Sequence, residues 1–205
     1  MLSEGKSSHP AVTDIRSEEL PVAAGLLARA YRDNPLTIAL VGDDAGMRLH
    51  LNEKIFGMRI AVQQPPAFVA RGDDGLVGVC GFDPPGGSMM GAEERRTLME
   101  TMSAAGPGVL GRAMSMLAEW GRRAPKEPHW HLGPVGVEPA LQGRGIGGAM
   151  LDRFCQMMDA EGELSYLETD TEANACLYEK FGFVTVDIAP VIGVPMWFQI
   201  RRPAE

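Results

Sequence analysis

Apolar positions along this chain recur with two rhythms, and the change comes about two thirds of the way along. Helical spacing dominates the first part. Residues 11–16 read as a short strand and 17–33 as a helix: Ser17 is placed to cap it, Glu18 and Glu19 suit its first turn, and Leu20, Leu26, Leu27 and Tyr31 supply recurring apolar positions. Asn34-Pro35 ends it, and a second helix is predicted over 44–62. The segments 66–71 and 76–82, separated by Gly72-Asp73-Asp74-Gly75, carry the signature of a β-hairpin with a four-residue turn. The Gly- and Pro-rich run 83–91 is a loop by turn chemistry, and helices follow over 92–103 and 109–123, broken at Gly106-Pro107-Gly108.

The last third alternates. Strands over 130–137, 164–169 and 183–187 are interleaved with helices over 144–160 and 172–181. That order predicts a local β-α-β unit with parallel strands and its helix packed on the sheet. The final apolar stretch, 196–200, is expected to add an edge strand. Six of the 13 methionines lie between Met89 and Met116, where they serve either as core packing on amphipathic helices or as an adaptable wall of a small-molecule cleft.

Composition narrows the class. A chain of 205 residues suits one domain with a self-sufficient core, and 45% hydrophobic with 22% charged residues is the balance of a soluble globular protein. Lys and Arg total 19 against 27 Asp and Glu, a net charge of −8, which argues against a nucleic-acid binder or a protein of anionic membranes. The polar start, MLSEGKSSHP, has no apolar signal region and is expected to be disordered over 1–10; no apolar run is long enough to span a bilayer, so a cytoplasmic location is expected. Cys80, Cys155 and Cys176 are odd in number and widely spaced, implying neither a disulfide framework nor a metal site. The acidic excess, at residues such as Asp33, Asp43, Asp44 and Asp83, is placed by hypothesis to draw in a cationic substrate.

The most informative segment runs from Val135 to Gly148. A strand enters a turn holding Gly143, Gly145, Gly147 and Gly148, and a helix begins there, so unpaired backbone N–H groups and the positive end of a helix dipole converge. Such a point binds phosphate. Gly143, Gly145 and Gly148 also satisfy G-x-G-x-x-G, with Glu168 twenty residues on as the ribose-binding acid of a dinucleotide fold. That fold needs far more chain than the 57 residues that follow Gly148. The plainer alternative is a glycine turn that only lets a helix pack closely on a strand.

Gln142-Gly143-Arg144-Gly145-Ile146-Gly147 matches Q/R-x-x-G-x-G/A, and Leu167-Glu168-Thr169 followed by Asn174-Ala-Cys-Leu-Tyr178-Glu-Lys-Phe-Gly-Phe183 supplies a second signature about thirty residues later. Both, in this order, resemble the GNAT superfamily of acyl-CoA-dependent N-acyltransferases; within it the pattern is similar to the puromycin N-acetyltransferase group, while residues 83–117 match that group poorly. The resemblance implies a single α/β (α+β) domain over 1–205 with a mixed, mostly antiparallel sheet, a splayed parallel strand pair, helices on both faces, and a cofactor-binding core at about 125–187. It implies acetyl-CoA as cosubstrate, no metal, a small-molecule amine as acceptor, direct attack without an acyl-enzyme, and a possible homodimer. A non-catalytic acyl-CoA sensor and a dinucleotide-dependent oxidoreductase are the rival readings.

The same resemblance distributes the roles. Backbone groups of Val135, Gly136 and Val137 pair with the pantetheine arm, and the amides of Gly143, Gly145, Ile146, Gly147 and Gly148 hold the pyrophosphate, with Gln142 and Arg144 at the turn. Tyr178 is the general acid and Asn174, four residues earlier on the same helix face, lies near the pantetheine arm. For the base, alternation along 130–137 puts His129, His131, Gly133 and Val135 on one side unless a bulge intervenes. His131 and Glu168 are competing candidates, each with a plain structural alternative.

Overall fold

The computed structural model describes residues 10–63, 67–87 and 90–204. Its strands are β1 (Ala11–Asp14), β2 (Phe68–Gly72), β3 (Gly75–Asp83), β4 (Trp130–Val137), β5 (Ser165–Thr169), β6 (Val184–Val191) and β7 (Val194–Arg201), forming one sheet in the order β1-β2-β3-β4-β5-β7-β6. Every neighbouring pair is antiparallel except β4 and β5. The helices are α1 (Leu20–Tyr31), α2 (Pro35–Val41), α3 (Ala45–Ala61), α4 (Ala92–Ala104), α5 (Val109–Arg123), α6 (Ile146–Glu161) and α7 (Glu172–Glu179).

Side-chain alternation sends the strands' apolar residues to two layers. Phe68, Ala70, Cys80 and Phe82 pack with Met150, Leu151, Phe154 and Met158 of α6 on one face. Val69 and Val79 pack with Leu26, Leu27 and Ile60 of α1 and α3 on the other. Both faces of the central strands are thus covered, as the resemblance implied. At Gly78 an added Cβ would lie 2.8 Å from Met150 Cε, so the missing side chain is what lets α6 approach the sheet this closely.

Several elements differ from the sequence expectations. Ser17 does not cap: Arg16 takes that position, its N–H donating to Glu19 Oε2 (2.9 Å), and a short 3₁₀ turn at Ser17–Glu19 leads into α1. Pro35 ends one helix and begins another, α2, because a helix's first turn tolerates a residue without N–H. Gly72 and Gly75 pair with each other, so the hairpin turn is the two residues Asp73-Asp74; Pro66 lies outside the described residues. The expected edge strand, β7, is central: Met196 and Phe198 are buried and the strand pairs with both β5 and β6, leaving β6 at the edge. Met102 and Met116 are buried whereas Met99 and Met114 are exposed; Met89 and residues 1–9 lie outside the described set.

Candidate active site

Strands β4 and β5 pair only at their first residues, Trp130 with Ser165 and His131 with Tyr166. Beyond them the strands separate, which opens a wedge in the middle of the sheet. The cause lies within β4. Cys80 pairs with Val135 but Phe82 pairs with Leu132, so β4 holds one residue more than β3 opposite it, at the cis Gly133-Pro134 bond. Proline offers no ladder N–H and Gly133 takes φ 147°, a combination that makes a bulge. The bulge reverses side-chain parity. Val135 and Val137 pack toward the α6 layer with Leu132, whereas His131 turns to Arg59 of α3, so His131 and Val135 do not share a face as simple alternation had it.

The wedge is lined by backbone and by two phenols. Val135 N–H donates to the Tyr31 hydroxyl (3.1 Å), which donates in turn to the Val135 carbonyl (3.0 Å). Sequence reasoning left those two groups free; the signal it lacked was the approach of α1 to β4, permitted because Gly136 has no side chain. Gly136 pairs with Val79, and antiparallel alternation directs its backbone groups into that ladder rather than into the wedge. The Val137 carbonyl accepts from Gln142 Nε2 (3.2 Å), which fastens the glycine turn to the strand. Tyr178, on α7, is half-buried against Phe183. Burial first, and then the nearby Tyr31, push its hydroxyl well above the usual phenol range, and burial pushes Tyr31 up to about 12. Both are neutral proton donors at physiological pH.

At the mouth of the wedge, Gly143 (φ 76°) and Gly145 (φ 81°) take left-handed backbone and α6 starts at Ile146. The first N–H groups of α6, at Ile146, Gly147 and Gly148, have no acceptor within the helix. Arg144 is exposed beside them. Asn174 is exposed on α7, where its N–H donates to the capping Thr171 Oγ1 (3.3 Å).

His131 and Glu168 are partners. His131 Nε2 lies 2.7 Å from Glu168 Oε2, and its Nδ1 lies 3.2 Å from Arg59 Nη2, which also donates to Asp83 Oδ2 (3.0 Å). A guanidinium has no acceptor, so its contact with Nδ1 requires the lone pair there; the proton is on Nε2 and is donated to Glu168. Burial alone raises the Glu168 carboxyl, but the charge that His131 carries when protonated and the hydrogen bond from it, with Arg59 behind, outweigh it and hold the group below the ordinary range. Tyr166 packs its ring 5.8 Å from that of His131, and its hydroxyl is pushed far up by burial and then by Glu168. His131 opens onto a cleft of about 510 Å³ lined by residues 84–87 and 125–129. Three of the four acids expected to attract substrate are already engaged: Asp33 with Arg32 and Arg48, Asp44 as the cap of α3, and Asp83 with Arg59. Among the described residues no three His, Cys, Asp or Glu side chains are grouped to hold a metal, and no helix is long and apolar enough to cross a membrane.

A single parallel pair is not a doubly wound sheet, and Glu168 is bonded to His131, so the dinucleotide reading loses both its fold and its acid. Residues 107–185 match the family described as the acetyltransferase (GNAT) domain. The matched residues include β4, the glycine turn, α6, β5 and α7, the elements that build the wedge, and over them the chain resembles a GNAT acetyltransferase domain. The N-alpha-acetyltransferase RimI of Mycobacterium tuberculosis is 39% identical over 74 residues, covering 35% of this chain and 44% of that protein. The chain spans less than half the length of the curated relatives it matches. A Corynebacterium glutamicum structure described as histone acetyltransferase HPA2 and related acetyltransferase shares the fold at TM-score 0.72 and 24% identity, covering 97% of this chain and 98% of that one. A GNAT acetyltransferase from Brucella melitensis, solved in complex with acetyl-CoA, shares it at TM-score 0.54 and 19% identity, over 96% and 90% of the two chains.

Proposed function

We propose that this GNAT domain transfers an acetyl group from acetyl-CoA to a primary amine of a small molecule by direct attack. The observation that carries the reading is the wedge between β4 and β5, with the glycine-turned N-terminus of α6 at its mouth and the half-buried phenols of Tyr31 and Tyr178 against it. The residues fit the cosubstrate: the left-handed Gly143 and Gly145 turn the chain so that the free amides of α6 face outward, and a helix N-terminus favours pyrophosphate by charge and by hydrogen bond. Acetyl-CoA supplies the thioester carbon and a thiolate leaving group.

Each protein group then has one task. Tyr178, kept protonated by burial, donates to the departing sulfur. A backbone amide of β4 at the wedge, Val135 or Val137, polarises the thioester oxygen; the Tyr31 hydroxyl must give way if the amide is that of Val135. His131 removes the amine's proton at Nδ1 while Glu168 holds Nε2–H and stabilises the imidazolium that forms. Glu168 is the poorer base for an ammonium, because its carboxyl is held below the ordinary range. The acceptor enters by the cleft onto which His131 opens.

Release of CoA thiol from acetyl-CoA in the presence of a panel of primary amines tests this. Turnover with at least one amine is expected, and Tyr178→Phe is expected to lower kcat about 100-fold with the KM for acetyl-CoA changed less than about 2-fold. Acetyl-CoA binding without turnover on any amine favours a sensor, and unchanged kcat in Tyr178→Phe removes the tyrosine from the mechanism.

A further inference from the structure

His131 has a second set of neighbours, and they are arranged against each other. From α3, Arg59 places its Nη2 at 3.2 Å from Nδ1; from β3, Asp83 places Oδ2 at 4.0 Å from the same nitrogen; from β5 come Glu168 at 2.7 Å from Nε2 and the Tyr166 ring; His129 and, across the cleft, Lys126 and Glu127 complete the charged or titratable surroundings. Asp83 is 3% exposed, and its other oxygen, Oδ1, is buried with no hydrogen-bond partner among the described residues. A buried carboxylate bonded on one side only is held in place by its hydrogen bond from Arg59, with no other side-chain donor to it among the described residues.

We propose that Arg59 and Asp83 are opposed positioning residues for His131, Arg59 keeping Nδ1 free of a proton at rest and Asp83 favouring the proton once it arrives. The inference rests on the reading of His131 as the base. At rest the Arg59 N–H occupies the Nδ1 lone pair and its positive charge disfavours an imidazolium beside it. When the amine's N–H proton moves to Nδ1, the N–H bond of the ammonium breaks, its electron pair stays on the nitrogen that attacks the carbonyl, and the new Nδ1–H has Asp83 Oδ2 as its nearest carboxylate. Arg59 needs only to turn its shared N–H wholly to Asp83, with which it is already bonded at 3.0 Å. The pair Arg59–Asp83 thus follows the proton without leaving the site.

The signs of the consequences are opposite, which no general loss of structure reproduces. In Arg59→Met two carboxylates face the imidazole without a compensating cation, so His131 binds its proton at higher pH. In Asp83→Asn one of the two carboxylates is gone and Arg59 remains, so it binds at lower pH. The double variant returns toward the wild type. An opposite charge within about 4–6 Å moves a titration by about one unit or more.

Two readouts are made on the full chain. The first is the imidazole C–H NMR titration of His131, assigned by its loss in His131→Gln. Its midpoint is expected to rise by about one unit in Arg59→Met and to fall by about one unit in Asp83→Asn. The second is the kcat–pH profile, whose acid limb is expected to move with it. Midpoints that stay put, or move the same way in both variants, overturn the proposal. If Arg59→Met does not fold, Asp83→Asn alone decides it, since an unchanged or raised midpoint there contradicts the account. NMR midpoints that shift in opposite directions while the acid limb does not follow uphold the positioning role and overturn instead the reading of His131 as base.

Discussion

Gly143 and Gly145, of the four glycines before and within the first turn of α6, have positive φ, whereas Gly147 and Gly148 do not. For an L-residue the left-handed region costs about 1–2 kcal/mol, so Gly145→Ala is expected to lose roughly that much stability and to weaken CoA binding, measured by thermal melting and calorimetric titration. Gly148→Ala is the control. Its Cβ would meet Phe181 Cζ at an ordinary 3.5 Å and alanine favours helix, so stability is expected to stay within about 0.5 kcal/mol of the parent or to rise. Which glycines were conformational was not legible from G-x-G-x-x-G, since the motif records identity and not φ. His131 and Glu168 show the same limit: both were found by residue type and place, yet they read as competitors because contact across two parallel strands has no signature in one dimension.

At the scale of elements, the bulge in β4 and the seat of α1 decide the site. Gly136 lies under α1, and a Cβ there would be 2.8 Å from Leu27 Cδ2 and 3.2 Å from Ala30 Cβ. Gly136→Val is therefore expected to lift α1 from β4, to cost about 1–3 kcal/mol by urea denaturation, and to separate the Tyr31 hydroxyl from Val135. The β4-α6-β5 unit was readable beforehand, because period-two and helical patterns alternate there and an intervening helix makes the strands parallel. Three elements were not. Pro35 is both a helix stop and a good first helical residue, so α2 was hidden behind the end of α1. Gly133-Pro134 signals a turn as readily as a bulge. Strand order depends on tertiary pairing, which is why β7 was expected at an edge and lies between β5 and β6.

Over the whole molecule, a net charge of −8 is compatible with a polyphosphate cosubstrate because many acids are held by arginines at fixed places of the fold. Arg48 and Arg32 engage Asp33, Arg201 engages Asp159, and Arg29 engages Glu138 at the end of β4. On the proposed reading, binding at the wedge depends on local backbone dipoles rather than on bulk field. The two layers of helix and the split sheet place the wedge where β4 and β5 part, with the cleft of residues 84–87 and 125–129 beside His131. Amide hydrogen exchange with and without CoA, read peptide by peptide across the chain, tests this most directly. The account predicts that CoA slows exchange in the segments containing Val135–Val137 and Ile146–Gly148 and leaves β1, β2 and α4 unchanged; binding that protects other segments and leaves these two as they were would contradict it.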